Sequence, residues 1–221
     1  KIYGLDAEIA WNYGFSFGQK FVLFGKKADL GLDFYRTDFQ NQAVVDLFES
    51  PQKAVFYNLK GKSFANSLQV DFNIELVKHL DLRTAYKYYD IATDYLSGTY
   101  QRPLQAKHRF FANLACETHL SDKGRQWRFD GTVNWFGQQQ LPNTSTNIEA
   151  ERLPEFSPSF STLNMQVTWQ QSRNFEMYFG GENIGNYRQG KAILGASNPF
   201  GPNFDTSIIY APVFGQMFYA G

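Results

Sequence analysis

The sequence predicts an all-β protein: a transmembrane antiparallel up-and-down β-barrel, of which about nine strands are present. Three observations carry this expectation. Apolar and polar residues alternate with a period of two along most of the chain, short and long connections alternate strictly, and 22 Phe, 13 Tyr and 4 Trp raise the aromatic content to 18%. Successive side chains of a strand point to opposite faces, so the alternation demands an apolar medium on one side and a polar one on the other. Aromatic rings favour strands and membrane-interface belts over helices. Short turns at one end with long loops at the other are the pattern of an outer-membrane barrel.

In chain order, Trp11, Tyr13, Phe15 and Phe17 share a face opposite Asn12, Gly14, Ser16 and Gly18. Next, Ala28, Leu30, Leu32 and Phe34 oppose Asp29, Gly31, Asp33 and Tyr35. Leu68, Val70, Phe72 and Ile74 oppose Gln69, Asp71, Asn73 and Glu75, and Leu80, Leu82, Thr84 and Tyr86 oppose Asp81, Arg83, Ala85 and Lys87. Phe110, Ala112, Leu114 and Cys116 turn away from Arg109, Asn113 and Glu117, although Phe111 interrupts that polar face. Between Gln126 and Phe136 the alternation is cleanest, with Trp127, Phe129, Gly131, Val133 and Trp135 against Arg128, Asp130, Thr132 and Asn134. Leu163, Met165, Val167 and Trp169, then Phe175, Met177 and Phe179, continue it, and a last strand begins near Gln216.

Short turns are expected near 22–26, 76–79, 119–125 and 170–174, and long polar connections near 39–53, 91–105, 138–159 and 184–214. Four or five residues in each apolar column, at about 6.6 Å per pair, span roughly 25 Å, close to the lipid-facing band of a transmembrane barrel. Aromatic residues at the column ends, such as Trp11, Trp127, Trp135 and Trp169, suit headgroup depth. The opposite parity, with Asp71, Glu75, Arg83, Lys87, Arg128 and Asp130, suits a lumen filled by water or a plug. A soluble β-sandwich, of the sugar-binding kind for instance, alternates as well. It gives no reason for the loop asymmetry, for columns of uniform height, or for strands of ten or more residues.

Charge and cysteine usage narrow the function. The 21 basic and 21 acidic residues cancel, leaving no field to attract nucleic acid, and mean hydropathy is −0.42 because the polar parity is so rich. Cys116, the single cysteine, excludes an internal disulfide and a cysteine-based zinc cluster. No stretch approaches 18 apolar residues, so no transmembrane helix is expected. An odd number of strands cannot close a single-chain bacterial barrel. Together with the absence of an initiating Met this reads as a fragment, with residues 1–5 as the tail of a further strand.

One run of residues is more specific. Gly180-Gly181-Glu182-Asn183-Ile184-Gly185-Asn186-Tyr187-Arg188 ends a strand, and Asn198-Pro199-Phe200-Gly201-Pro202-Asn203-Phe204-Asp205 follows. Pro212-Val213-Phe214-Gly215-Gln216-Met217-Phe218-Tyr219-Ala220-Gly221 comes last. These resemble the carboxy-terminal part of a TonB-dependent outer-membrane receptor, where an "ENLxN"-like segment ends the penultimate strand and a "GxxFYxGxR"-like strand closes the barrel. Trp11-Asn12-Tyr13-Gly14, the run from Asp33 to Phe39, and Phe56-Tyr57-Asn58-Leu59 resemble that family's barrel strands. Departures are Gln216, where relatives often carry a basic residue, and the missing terminal aromatic residue.

The resemblance implies a barrel of about 22 strands. Residues 1–221 would be the carboxy-terminal part of the barrel domain, starting near the fourteenth strand, with plug domain, TonB box and first strands absent from this chain. It further implies the bacterial cell outer membrane, outer-membrane lipid as surroundings, and TonB with its inner-membrane energy complex as partner, engaged through the absent part. The function implied is active uptake of a scarce, large ligand: a siderophore, haem, cobalamin, metal chelate or glycan. A surface lipoprotein partner is compatible with it, nucleic acid is not. The alternative is a passive porin or a structural or adhesive barrel without energy coupling.

No enzymatic constellation is expected. His79 and His119 fall in short turns and His108 at a loop–strand junction, and neither a His-Glu-x-x-His pair, a Gly-x-Ser-x-Gly elbow nor a phosphate loop is present. No catalytic, metal or cofactor-binding residue is assigned, no cofactor is expected, and the ligand-binding residues are left unnamed. Glu182 and Asn183 read as architectural, hydrogen bonding at the strand end, with a ligand-facing role as the less favoured reading. Arg102, Lys107, His108 and Arg109 read as a solvated rim, with an anionic ligand at the outer mouth as the less favoured reading.

Overall fold

The alternating segments pair in antiparallel register into one sheet. A computed structural model describes residues 4–221. In chain order the strands are β1 (Ile9–Leu23), β2 (Lys26–Asn41), β3 (Ala43–Asp46), β4 (Val55–Asn58), β5 (Ser63–Val77), β6 (Leu80–Tyr95), β7 (Gly98–Tyr100), β8 (His108–Glu117), β9 (Gln126–Phe136), β10 (Phe160–Ser172), β11 (Phe175–Glu182) and β12 (Met217–Ala220). Nine run side by side in the order β1-β2-β5-β6-β8-β9-β10-β11-β12, each next to its neighbour in sequence among the nine, and β7 pairs with β6. The only helical segment among the described residues is a 3-10 turn at Glu149–Glu151. The further strand expected at residues 1–5 falls mostly outside the described residues.

The register keeps the two parities apart across the sheet. One apolar row runs Phe21, Ala28, Ile74, Leu82, Leu114, Gly131, Met165, Gly181, Phe218, touching every one of the nine strands. A neighbouring row on the other face runs Lys20, Asp29, Asn73, Arg83, Asn113, Thr132, Asn164. Among the described residues nothing packs over the apolar face: Phe15, Phe17, Trp127, Phe129, Met165 and Phe179 are all exposed, as is Cys116. Gln19, a polar residue on that face, turns its amide to the Lys20 carbonyl at 2.8 Å, which lowers the cost of leaving it out of water.

The connections alternate as expected. Phe24 and Gly25, with φ of 49° and 75°, form the two-residue turn between β1 and β2, a conformation that suits a right-twisted hairpin. Two long connections are more ordered than the sequence suggested. β2 continues to Asn41 and β6 to Tyr95, and β3 and β4 pair with each other as a separate two-stranded sheet. This corrects the reading of the segment from Phe56 as a barrel strand: four residues followed by Lys60, Gly61 and Lys62 are too short and polar to span the sheet. β11 and β12, with eight and four residues, also fall short of the ten expected.

The hydrophobic core lies in the long loops. Leu141, Leu194 and Ile208 are buried together, with Leu104, Leu153 and Tyr210 packed around them, so three connections share one small core. Polar side chains complete the cap. Gln189 is buried and uses its whole amide: Nε2 donates to the carbonyls of Lys191 and Ile208, and Oε1 accepts from the N–H groups of Tyr210 and Ala211. Asn183, at φ 49°, donates to the carbonyls of Tyr187 and Phe214 and accepts from the Tyr187 N–H, in line with an architectural role.

Asp46, 1% exposed, anchors the β3–β4 hairpin. Its carboxylate accepts from the Phe48 N–H at 2.9 Å, the Ser97 hydroxyl at 2.8 Å and the Tyr57 hydroxyl at 3.1 Å. Burial alone would raise its pKa. The donors from Phe48, Ser97 and Tyr57 outweigh burial and hold the carboxyl below the ordinary carboxylate range.

Two outcomes follow. Asn183→Ala strands a carbonyl pair and puts alanine at positive φ, so it should cost about 3 kcal/mol. Cleavage by trypsin after Arg188 and Lys191 should then become faster in the complete barrel. Because the Asp46 pKa is depressed, its stabilisation is complete above the unfolded value of about 4 and is lost as pH falls through the lower folded value. Pepsin should cut near Phe48 increasingly below about pH 4. Asp46→Asn should be cut there already at the upper end of that range, and equal protection of both proteins would refute the anchor.

Candidate functional site

The polar face and the loops at one end of it carry the remaining chemistry. Toward the short turns this face gathers Asp29, Glu75, Asp81, Glu117, Asp130 and Glu176, interleaved with Lys27, Arg83 and Arg128. Two cavities of about 480 and 390 Å³ lie among them. Arg128 is in ion-pair contact with Glu176 across β10, and Asn113 donates to Asp130 at 2.8 Å and to Thr132 at 2.9 Å. Cross-strand pairs of this kind stiffen a sheet face.

Toward the long loops the same face turns cationic and aromatic. Phe136, Phe160 and Tyr187 stack in sequence, with centroids 4.9 and 5.0 Å apart, and the Arg109 guanidinium caps the stack 5.4 Å from the Phe136 ring. The stack joins β9 and β10 to the loop after β11. Arg109 Nε and Arg128 Nε are buried without an acceptor among the described residues. The Arg109 guanidinium lies against the Phe136 ring and that of Arg128 against Glu176, so each group as a whole is engaged within this wall.

The loops bend over that space. Tyr95 shares the parity of Lys87, and Phe48 of the β3–β4 hairpin packs on it at 5.5 Å while stacking on Tyr100 at 4.1 Å. The hairpin is also tied to the β9–β10 connection: Asn143 donates to the Phe48 carbonyl and Gln52 to Asn147. Two further cavities flank residues 142 and 143. One, of about 460 Å³, is bounded by Tyr100, Gln140, Arg152 and Glu155. The other, of about 410 Å³, is bounded by Pro51, Gln52, Lys53, Phe204 and Asp205. A ring face, a guanidinium, a carboxylate and amides around one hollow suit a polar ligand with several hydrogen-bonding groups. The sequence reading missed these residues, and the Pro- and Asn-rich composition of 138–159 was its only hint.

The basic cluster expected between 102 and 109 is dispersed. Lys107 pairs with Asp90 at 3.3 Å, His108 is hydrogen-bonded to the Tyr86 hydroxyl at 2.7 Å, Arg109 sits on the polar face and Arg102 is exposed. Two of the three histidines come together. Two turns bring His79 and His119 to 6.4 Å between ring centroids, with Glu117 Oε1 3.4 Å from His79 Nδ1. Among the described residues no group of three or more His, Cys, Asp or Glu could hold a metal. Glu182 is exposed at the end of β11.

Comparison with known proteins agrees with this architecture. The family described as TonB dependent receptor-like, beta-barrel, matches residues 1–184. No curated protein matches the chain. Among solved structures, a mutant ferric enterobactin receptor of Pseudomonas aeruginosa superposes with a TM-score of 0.63 at 16% identity, covering 98% of this chain and 31% of that one. A ferric preacinetobactin receptor of Acinetobacter baumannii gives 0.57 at 13% identity, covering 95% and 29%. The chain thus spans under a third of the length of either receptor, and at such identities the likeness speaks for the fold alone. The apolar face is the lipid-facing wall of a barrel and the polar face its lumen, and the chain belongs to the TonB-dependent receptor β-barrel family.

Proposed function

We propose that the complete protein is an energised transporter of the bacterial outer membrane, and that residues 1–221 are the carboxy-terminal part of its barrel domain, with the first strands and a plug domain lying outside this chain. The observation that carries the proposal is the match of residues 1–184 to the TonB-dependent receptor β-barrel family, on a wall whose lumen face is densely charged. A plug packed against the lumen face would bring donors to the carboxylates from Asp29 to Glu176 and acceptors to Lys27 and Arg83 among them. The role of this segment is then binding and shaping, with no covalent chemistry. Energy would come from TonB, acting on the plug.

The ligand proposed is a scarce, polar small molecule too large for passive diffusion, received by the loop vestibule around Tyr100, Gln140, Arg152 and Glu155. Since both superposed receptors are receptors for ferric chelates, ferric siderophores are the first class to test. Haem, cobalamin and glycans follow.

Cells expressing the complete receptor should accumulate labelled ligand only while the proton-motive force is intact, and an uncoupler should stop uptake while leaving surface binding unchanged. Uptake that continues in uncoupled cells would favour the passive barrel. Arg152→Ala, which removes the vestibule's guanidinium, should weaken binding of an anionic ligand about tenfold with little change in uptake at saturation. Equilibrium binding to purified receptor, set beside uptake rates, checks both halves of that statement.

A further inference from the structure

On the lipid-facing side, the row Leu114, Gly131, Met165, Gly181, Phe218 holds two glycines, each between bulky neighbours. They floor an apolar notch of about 480 Å³, walled by Leu114, Met165, Phe179 and Phe218. The notch sits within the apolar band, between the Trp127 and Trp135 ends of the β9 column, and extends from this row toward the short turns, where Phe129 and Phe179 also line it.

The two glycines have different reasons to be there. A Cβ on Gly181 would meet the Phe218 ring at 3.0 Å and Ile184 at 3.2 Å, so local packing accounts for it. A Cβ on Gly131 would meet nothing closer than the Leu114 carbonyl at 4.0 Å, and Gly131 is not among the residues with positive φ. Neither crowding nor backbone conformation calls for glycine at the centre of this column, where a β-branched or aromatic residue would stabilise the strand. A glycine with no local cause inside a strand marks a place where a ligand or another backbone comes close.

We infer that the Gly131–Gly181 notch seats an acyl chain of a phospholipid as a bound, slowly exchanging lipid. The occupant follows from the location: midway through the apolar band, on the turn side, only hydrocarbon is available, and the walls offer it almost no polar surface. Lipid tails and leucine side chains are equally apolar, so retention arises from fit rather than from hydrophobic expulsion. A chain lying over Gly131 recovers the dispersion contacts that an unfilled notch forfeits along its whole lining. The inference rests on the lipid-facing assignment of this face and is independent of which ligand the receptor transports.

The test uses the complete receptor, delipidated in detergent and titrated with phosphatidylethanolamine, with retained lipid read by native mass spectrometry. Gly131→Leu fills the notch and should weaken phospholipid retention about tenfold. Ala112→Leu, which places the same side chain in the lipid-facing column of β8 outside the notch, should leave it unchanged. If the leucine variant fails to show the heat-dependent gel shift of a folded barrel, Gly131→Ala should give a smaller loss in the same direction. Wild-type retention in the Gly131 variants, or equal loss in Gly131→Leu and Ala112→Leu, would overturn the inference. So would a wild-type receptor that holds no lipid and elutes as a dimer that Gly131→Leu dissociates, since the notch would then seat a second copy.

Discussion

Everything in this chain depends on an unbroken antiparallel register. Because side chains alternate with a period of two, a slip of one residue between any two of the nine strands would turn an entire apolar column to the lumen and its charged partners to lipid. The row from Phe21 to Phe218 contains no such slip. The irregularities that do occur lie at strand ends, at Ile9/Ala10, Glu75/Val77 and Gln170/Ser172, where a shift moves only turn or loop residues. In hydrocarbon no water substitutes for a lost backbone partner, so continuous pairing is a condition of stability in lipid as well as of topology.

That condition explains where ordinary hydrophobic burial is found. A soluble domain of this size would place its aromatic residues inside. Here many of them cover the lipid face, and among the described residues the cluster of buried apolar residues is the one around Leu141, Leu194 and Ile208, which joins the long loops. The strands hold their shape through backbone pairing, while the loops need a core and saturated side chains such as Gln189, Asn183 and Asp46. Fixed loops suit recognition, since a vestibule already ordered loses less conformational entropy when it binds.

The wall was legible in the sequence and the cap was not, for a physical reason. Strand positions from Trp11 to Phe179 follow a period that any half-buried strand must obey, and the bounds of β9 emerge residue for residue from Gln126 to Phe136. The loops have no period. That Phe48 would reach Tyr95 and Tyr100, or that Asn143 would tie down a hairpin some 95 residues earlier, depends on chain paths that local composition does not encode. The β3–β4 hairpin misled for the same reason: Phe56-Tyr57-Asn58 has strand composition, but not the length of a barrel stave. Resemblance of short motifs identified the family correctly and still misassigned that one segment.

The two faces also differ in what they leave unfinished. On the lumen side the register brings carboxylates toward the short turns and leaves Lys87 and Arg109 toward the loops. Charge can be sorted in this way because interior positions contribute little to insertion in lipid and are therefore free to be shaped by what fills the lumen. Lipid-facing positions have less freedom, since the band favours apolar residues, and size is the main variable left to them. Gly131 uses that variable in the direction opposite to strand stability. A wall selected for lipid solubility alone would carry valine or phenylalanine there, as it does at the neighbouring positions Phe129 and Val133, so its emptiness is best understood as the imprint of what lies against it.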